Sequence, residues 1–136
     1  MTTQQTPGQP EKAPRTELTG PEREYLGGQR LARLATVDAE GRPQNNPVGF
    51  FLREDGAIDI AGWAMGGTRK WRNIAGDPYV SLVVDDLASV RPWKVRGVEI
   101  RGVAEQVTGP HAYGDHLSKE LIRIRPYKIL GWGVED

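Results

Sequence analysis

A chain of 136 residues suits one domain and offers too little apolar surface for two independent cores. Lysine plus arginine equals aspartate plus glutamate at 18 each, so no global field draws the protein to DNA, RNA or an anionic membrane, and any anion site must be local. Cysteine is absent, which excludes disulfides, thiolate zinc sites, cysteine-ligated iron–sulfur clusters and a cysteine nucleophile.

Met1–Glu17 is rich in Thr, Gln and Pro and lacks the apolar centre of a signal peptide. It reads as a disordered N-terminal arm, residues 1–17, ahead of one domain over residues 18–136. No later stretch approaches the roughly 18 consecutive apolar residues of a membrane span, so the expectation is a soluble, cytoplasmic protein. Order begins where Thr19 and Glu22 form a capping box and Pro21 suits a first helical turn. The short helix runs to about Leu26, and Gly27-Gly28 stops it in a left-handed cap.

From Arg30 the pattern changes to short runs rich in Val, Ile, Leu and Thr, the signature of an all-β domain. Six strands are predicted, at Arg30–Val37, Pro43–Leu52, Ala57–Trp63, Tyr79–Asp85, Lys94–Val107 and Leu121–Leu130. Asp38-Ala39-Glu40-Gly41 and Glu54-Asp55-Gly56 supply hairpin loops, which makes their flanking strands antiparallel neighbours. The first strand is apolar on both faces for most of its length, as in a closed or doubly packed sheet. Gly97 and Gly102 mark bends in the long fifth strand. A small antiparallel barrel filled by its own side chains satisfies both features, so a ligand would bind on its outer surface.

One helix interrupts the strands, capped by Thr68, ended at Gly76 and closed off by Asp77-Pro78. Trp71, Ile74 and Ala75 should face the barrel, with Lys70 and Asn73 on another face. A second short helix is expected near Pro110–Lys119. Asp85-Asp86 reads as a turn.

The chemistry concentrates at Gly66-Gly67-Thr68-Arg69-Lys70. Free backbone N–H groups at a helix start favour an anion, whereas cations in that turn oppose the helix dipole unless something negative binds. A phosphate resolves the conflict; the competing reading is a solvated helix face carrying Arg69 and Arg72. Gly62 and Gly67 have P-loop spacing, but Thr68 and Arg69 stand where Lys and Ser/Thr belong. His111 and His116 are five apart, a poor spacing for a metal on one helical face, and no metal site is assigned. Ser81, Ser89 and Ser118 lack the glycine frame of a nucleophile elbow. Trp63 and Trp132 lie at strand ends, where a planar ring could be contacted. An oligonucleotide-binding barrel would need aromatics interleaved with a basic groove, which the even charge distribution opposes.

Leu31-Ala32-Arg33-Leu34-Ala35-Thr36-Val37, Gly41-Arg42-Pro43, Pro47-Val48-Gly49-Phe50, Thr68-Arg69-Lys70-Trp71-Arg72-Asn73-Ile74 and Asp77-Pro78 together resemble the pyridoxamine 5′-phosphate oxidase-like split-barrel superfamily, from about Leu18 to Trp132. Val83-Val84-Asp85-Asp86-Leu87, Pro92-Trp93 and Arg96–Gly102 resemble its actinobacterial deazaflavin-dependent branch. The resemblance implies a mainly β fold, a six-stranded antiparallel split β-barrel with short helices, assembled as a homodimer with cofactor at the subunit interface. It implies coenzyme F420, with FMN as the alternative, and hydride transfer to a small conjugated organic substrate. By the same resemblance Thr68, Arg69 and Lys70 would hold the cofactor phosphate and Asn73 would brace the turn. Pro47, Val48 and Gly49 would edge the ring, with Trp63 beside the cofactor and Trp132 reaching it from the partner subunit. Arg33 or Arg42 would supply charge near the ring or tail. No catalytic acid or base is assigned. A non-catalytic cofactor carrier or sensor is the alternative function.

Overall fold

The computed structural model describes residues 14–134. Its elements in chain order are helix α1 (Gly20–Gly27), strands β1 (Leu31–Val37), β2 (Pro43–Leu52) and β3 (Ile58–Ala61), a 3-10 turn at Met65–Gly67, helix α2 (Arg69–Gly76), and strands β4 (Tyr79–Ser89), β5 (Lys94–Thr108) and β6 (Glu120–Trp132). The six strands close into an antiparallel barrel in the order β1-β2-β3-β6-β5-β4. Both short hairpin loops form as expected, with Gly41 and Gly56 at positive φ (79° and 91°) where a Cβ would be strained.

The inner face follows the strand period of two. Ala32, Leu34, Ile58, Ile60, Leu82, Val84, Val98, Ile100, Ile122 and Ile124 pack into a single core. Gly102 lies at a register shift in the β5–β6 ladder, and a Cβ there would meet Ile124 Cγ2 at 2.5 Å. The expected bend at that glycine is therefore present, imposed by close packing across the bulge.

The helices seal the two mouths. At one mouth α1 buries Tyr25 and Leu26, and its capping box is present, with Thr19 N donating to Glu22 Oε1 at 2.9 Å and Glu22 N donating to Thr19 Oγ1 at 3.2 Å. Tyr25 donates its hydroxyl to Asp86 Oδ1 at 2.8 Å. At the other mouth α2 buries Ile74, and Asn73 Nδ2 donates to Thr36 Oγ1 (3.0 Å) and Gln44 Oε1 (2.8 Å).

Several expectations are corrected. Helix α1 ends at Gly28 in right-handed geometry (φ −91°), where backbone bonds to Leu26 and Tyr25 make a left-handed cap unnecessary. The outer face of β1 is uncovered in the single chain, with Leu31 64% exposed, because α2 and α1 close the mouths and leave the wall bare. Asp85-Asp86 belongs to β4, which runs on to Ser89; the two carboxylates point to opposite sides, Asp85 pairing Arg33 and Asp86 pairing Arg96. Ala75 is exposed, so of the three residues expected to face the barrel Ile74 is buried and half-buried Trp71 packs against the core beside it. Residues 110–119 form turns and bends rather than a helix. Residues 1–13 of the expected arm lie outside the described residues. Arg15, ahead of the expected start at Leu18, is tied to the barrel, since its carbonyl accepts from Ile129 N at 2.7 Å and its guanidinium pairs with Glu22.

The 109–118 segment folds over the outer side of β3 and β6, held by a carboxylate that sits alone in an apolar run. Asp59, between Ile58 and Ile60, is 0% exposed. It accepts from Arg123 Nε (2.8 Å), Arg123 Nη2 (3.1 Å) and Tyr113 Oη (2.7 Å), while Tyr113 stacks on Phe51 with ring centroids 4.1 Å apart. Burial would push the Asp59 carboxyl up, but the Arg123 and Tyr113 hydrogen bonds outweigh it and hold it below the usual carboxylate range. A depressed acid stabilises the fold above its unfolded pKa, and that contribution disappears as the pH falls through the lower, folded value. Asp59→Asn should therefore cost about 2–3 kcal/mol at neutral pH, as expected for breaking a buried pair that Arg123 can partly resolve toward water. The variant should also lose less further stability in acid than the parent, and urea denaturation at pH 7 and pH 3.5 measures both effects.

Candidate functional site

Thr68 starts α2 with extended backbone, and its side chain accepts from Trp71 N at 3.3 Å. Its hydroxyl hydrogen goes back to Met65 O at 2.7 Å. The hydroxyl is thus committed to shaping the turn, and the N–H groups of Arg69 and Lys70, the first two helical positions, are the ones with no helix carbonyl to bond. Three cations follow in four residues, Arg69, Lys70 and Arg72, and the helix contains no acid. Among the described residues none of the three is in an ion pair, whereas Arg96, Arg101 and Arg123 each meet a carboxylate through two nitrogens. Lys70 is half-buried, and burial alone lowers its pKa, with no counter-charge to restore it.

Arg69, Arg72, Asn73 and Gly76 form one face of α2 and look across a groove of ≈ 890 Å³ at the β1–β2 loop, Asp38–Arg42. Arg42 is already engaged there, with Asp38 Oδ2 at 3.3 Å and Glu40 Oε2 at 3.4 Å. Arg33 pairs with Asp85 on the outer wall of β1 and β4. Among the described residues lining this groove, the cations without a carboxylate partner are therefore those of α2.

A second feature lies next to this turn. Only Gly49–Leu52 of β2 pair with β3, so Pro43–Val48 has a strand on one side alone, namely β1. Its other edge presents unpaired backbone groups. Gly49 lies opposite Ala61, so the chain leaves β3 beside this edge and places Trp63 there, 83% exposed. Pro47 and Gly49 lie on the outer side of β2, while the Val48 side chain is buried in the core and its backbone is paired with Ala32 of β1, so Val48 presents neither to the open edge. Asn73 secures α2 to the barrel floor through Thr36 and Gln44. Trp132, paired with Gly97, ends β6 at the α1 mouth, away from the α2 turn of the same chain.

The turn is itself supported from the end of the 109–118 segment and the first residue of β6, through residues that sequence patterning did not single out for this purpose. Ser118 N and Oγ both donate to Gly62 O (2.9 and 3.1 Å), and Met65 N donates to Ser118 Oγ at 3.0 Å. Gly66 N donates to Glu120 Oε1 at 3.3 Å. The one signal in the sequence was a lone Asp59 inside an apolar strand, which demands polar partners from elsewhere in the chain.

The chain can thus offer a phosphate-sized anion two free amides and up to three cations, and offer a flat heterocycle an open strand edge with an indole beside it. Residues 18–129 match the pyridoxamine 5′-phosphate oxidase family. A 5a,11a-dehydrotetracycline/5a,11a-dehydrooxytetracycline reductase of Streptomyces rimosus is 45% identical over 113 residues, spanning 82% of this chain and 80% of the relative. A conserved hypothetical protein of Mycobacterium tuberculosis, Rv2991, superposes with a TM-score of 0.68 at 22% identity, covering 91% of each chain. A putative pyridoxamine 5′-phosphate oxidase of Lactobacillus delbrueckii gives a TM-score of 0.65 at 20% identity, over 85% of this chain and 95% of its own.

A cation in the first turn of a helix is unfavourable until an anion arrives, so its removal should not weaken the empty protein. Arg69→Ala and Lys70→Met are expected to leave stability unchanged or raise it by up to about 1 kcal/mol in buffer free of multivalent anions. Added pyrophosphate should then raise the melting temperature of the parent more than that of either variant. Thermal melts with and without the anion read both signs, and a loss above about 1 kcal/mol in both variants would assign these cations to the fold instead.

Proposed function

Because the chain belongs to the pyridoxamine 5′-phosphate oxidase family, we propose that it is an oxidoreductase using a phosphorylated flavin-type cofactor, coenzyme F420 in the first instance and FMN as the alternative. The observation that carries this reading is the α2 turn, where unpaired Arg69 and Lys70 surround two free backbone amides beside the open edge of β2. Both the donor set and the edge fit such a group.

In this reading Arg69, Lys70 and the first amides of α2 hold the phosphate, and Thr68 keeps those amides pointed outward. The Pro47 carbonyl, open on the free edge of β2, meets the polar rim of the ring, and the flat backbone at Gly49 lies beside it, which fixes the ring's position along the edge. Trp63 covers apolar surface beside it and limits access of water. When bound, the reduced cofactor supplies the hydride, so the protein's task is to bind, orient and desolvate. The substrate class is a conjugated, electron-poor organic molecule, a choice supported by the 45% identity to a reductase that acts on a dehydrotetracycline. The second subunit of a homodimer would cover the bare wall of β1 around Leu31 and bring Trp132 to the cofactor, since Trp132 of the same chain lies at the opposite mouth. A carrier or sensor would share the groove and lack turnover.

Titration with F420 and with FMN, followed by absorbance and fluorescence, tests the cofactor. Arg69→Ala and Lys70→Ala should each weaken the preferred one about tenfold or more, the effect of losing a charge-assisted hydrogen bond of about 1.5–3 kcal/mol, with Arg72→Ala doing less. Oxidation of the reduced cofactor by a conjugated enone then separates enzyme from carrier. Light scattering that found a cofactor-loaded monomer would remove the role given to Trp132.

A further inference from the structure

Ser118 lies where the 109–118 segment meets the turn before α2. Its hydroxyl donates to Gly62 O (3.1 Å) and accepts from Met65 N (3.0 Å). Its own amide also donates to Gly62 O, at 2.9 Å. Met65 O in turn receives both the amide (3.1 Å) and the hydroxyl (2.7 Å) of Thr68, the residue that caps α2. One hydroxyl therefore clamps both ends of Gly62–Met65, and the clamp is passed on to Thr68 through a single residue.

Ser118 is rigidly held from behind. His111 Nδ1 accepts from Tyr113 N at 3.2 Å, so the ring hydrogen sits on Nε2 and donates to Ser118 O at 2.8 Å. Tyr113 is anchored by its hydroxyl to buried Asp59, which Arg123 holds through two nitrogens. A continuous hydrogen-bonded path thus runs from a buried ion pair on the barrel wall to the cap of α2. The same geometry argues against a nucleophile, because the histidine meets the serine's carbonyl and the hydroxyl hydrogen is spent on Gly62.

The turn needs such a clamp. Gly66 and Gly67 lie between Met65 and Thr68, and glycine pays the largest entropy to be held in one conformation. A Cβ at Gly67 would meet nothing within 4 Å, so packing does not restrain that residue.

We infer that Ser118 is a positioning residue for the cofactor phosphate, holding the 62–68 turn so that the first amides and cations of α2 are aligned before the ligand arrives. The inference rests on the phosphate reading of that turn. A phosphate-specific positioning role changes affinity for the phosphorylated ligand and spares the bare ring, whereas a general structural role weakens both.

The test compares FMN with riboflavin, and F420 with the same deazaflavin lacking its phosphate-bearing tail, and is read on whichever pair the parent protein binds. Ser118→Ala should weaken the phosphorylated member roughly three- to tenfold, the loss of one or two hydrogen bonds, and change the bare ring by less than about twofold. Ser118→Thr, which keeps the hydroxyl, should restore the preference. Should Ser118→Ala not fold, Ser118→Cys keeps the volume with weaker hydrogen bonds and is read in the same way. Equal weakening of both members, or no change in either, overturns the inference. If Arg69→Ala abolishes the preference while Ser118→Ala keeps it, the inference alone falls. A parent protein with no preference for the phosphorylated member overturns the phosphate reading and this inference together.

Discussion

Closing six strands into a barrel hides their inner faces from water everywhere except at the two mouths, and the residues that seal those mouths decide what the outside can present. At the α2 mouth the seal is made by Ile74, packed into the core, and by Asn73, whose amide spans Thr36 and Gln44. Burying Ile74 is worth about 2 kcal/mol, but an apolar side chain alone tolerates some rotation of the helix. The doubly bonded amide does not, since turning α2 by one residue would leave Thr36 and Gln44 without a partner at the end of the core. With the inner face fixed, Arg69 and Arg72 must face outward to the groove and Lys70 must sit half-buried at the start. The cationic turn is thus a geometric by-product of how the barrel is stoppered.

Its electrostatics set it apart from most of the outer surface. Arg96, Arg101 and Arg123 are each chelated by a carboxylate on the same or a neighbouring strand, which spends their hydrogen-bonding capacity within the protein. Helix α2 has no acid to perform this service, and its dipole opposes the cations it carries. In the proposed reading this modest unfavourable energy is what an incoming anion would release, so that selectivity for charge would need no large net charge on the chain.

Much of the scaffold could be read from local signals. Thr68, Gly76 and Asp77-Pro78 bracket α2, and Thr19 with Glu22 starts α1, because capping depends on neighbours within four residues. The strands followed from their alternation and their hairpin loops. The helix expected near Pro110–Lys119 does not form because what shapes this segment is remote: Tyr113 answers to Asp59, 54 positions earlier, and Ser118 to Gly62, 56 earlier. Local propensity has no access to such partners. For the site, Thr68, Arg69 and Lys70 were visible as a conflict between charge and dipole. Asn73 is marked as a brace of the turn by the family resemblance, but its partners Thr36 and Gln44 are set by barrel closure and have no local signal. The inward turn of Val48 follows from strand parity once the register with β1 is known, and the position of Trp132 at the far mouth required the full strand order.

The open edge of β2 has a cost that lies outside ligand binding. A strand paired on one side only is a template for another strand, whether from a second molecule or from a chain still folding, and four-residue β3 leaves most of β2 in that condition. Pro43 and Pro47 fall within this stretch and carry no N–H, so they cannot complete the regular donor pattern that an added strand would require. The same six residues can therefore stay bare enough to receive a flat ring while remaining a poor seed for edge-to-edge aggregation.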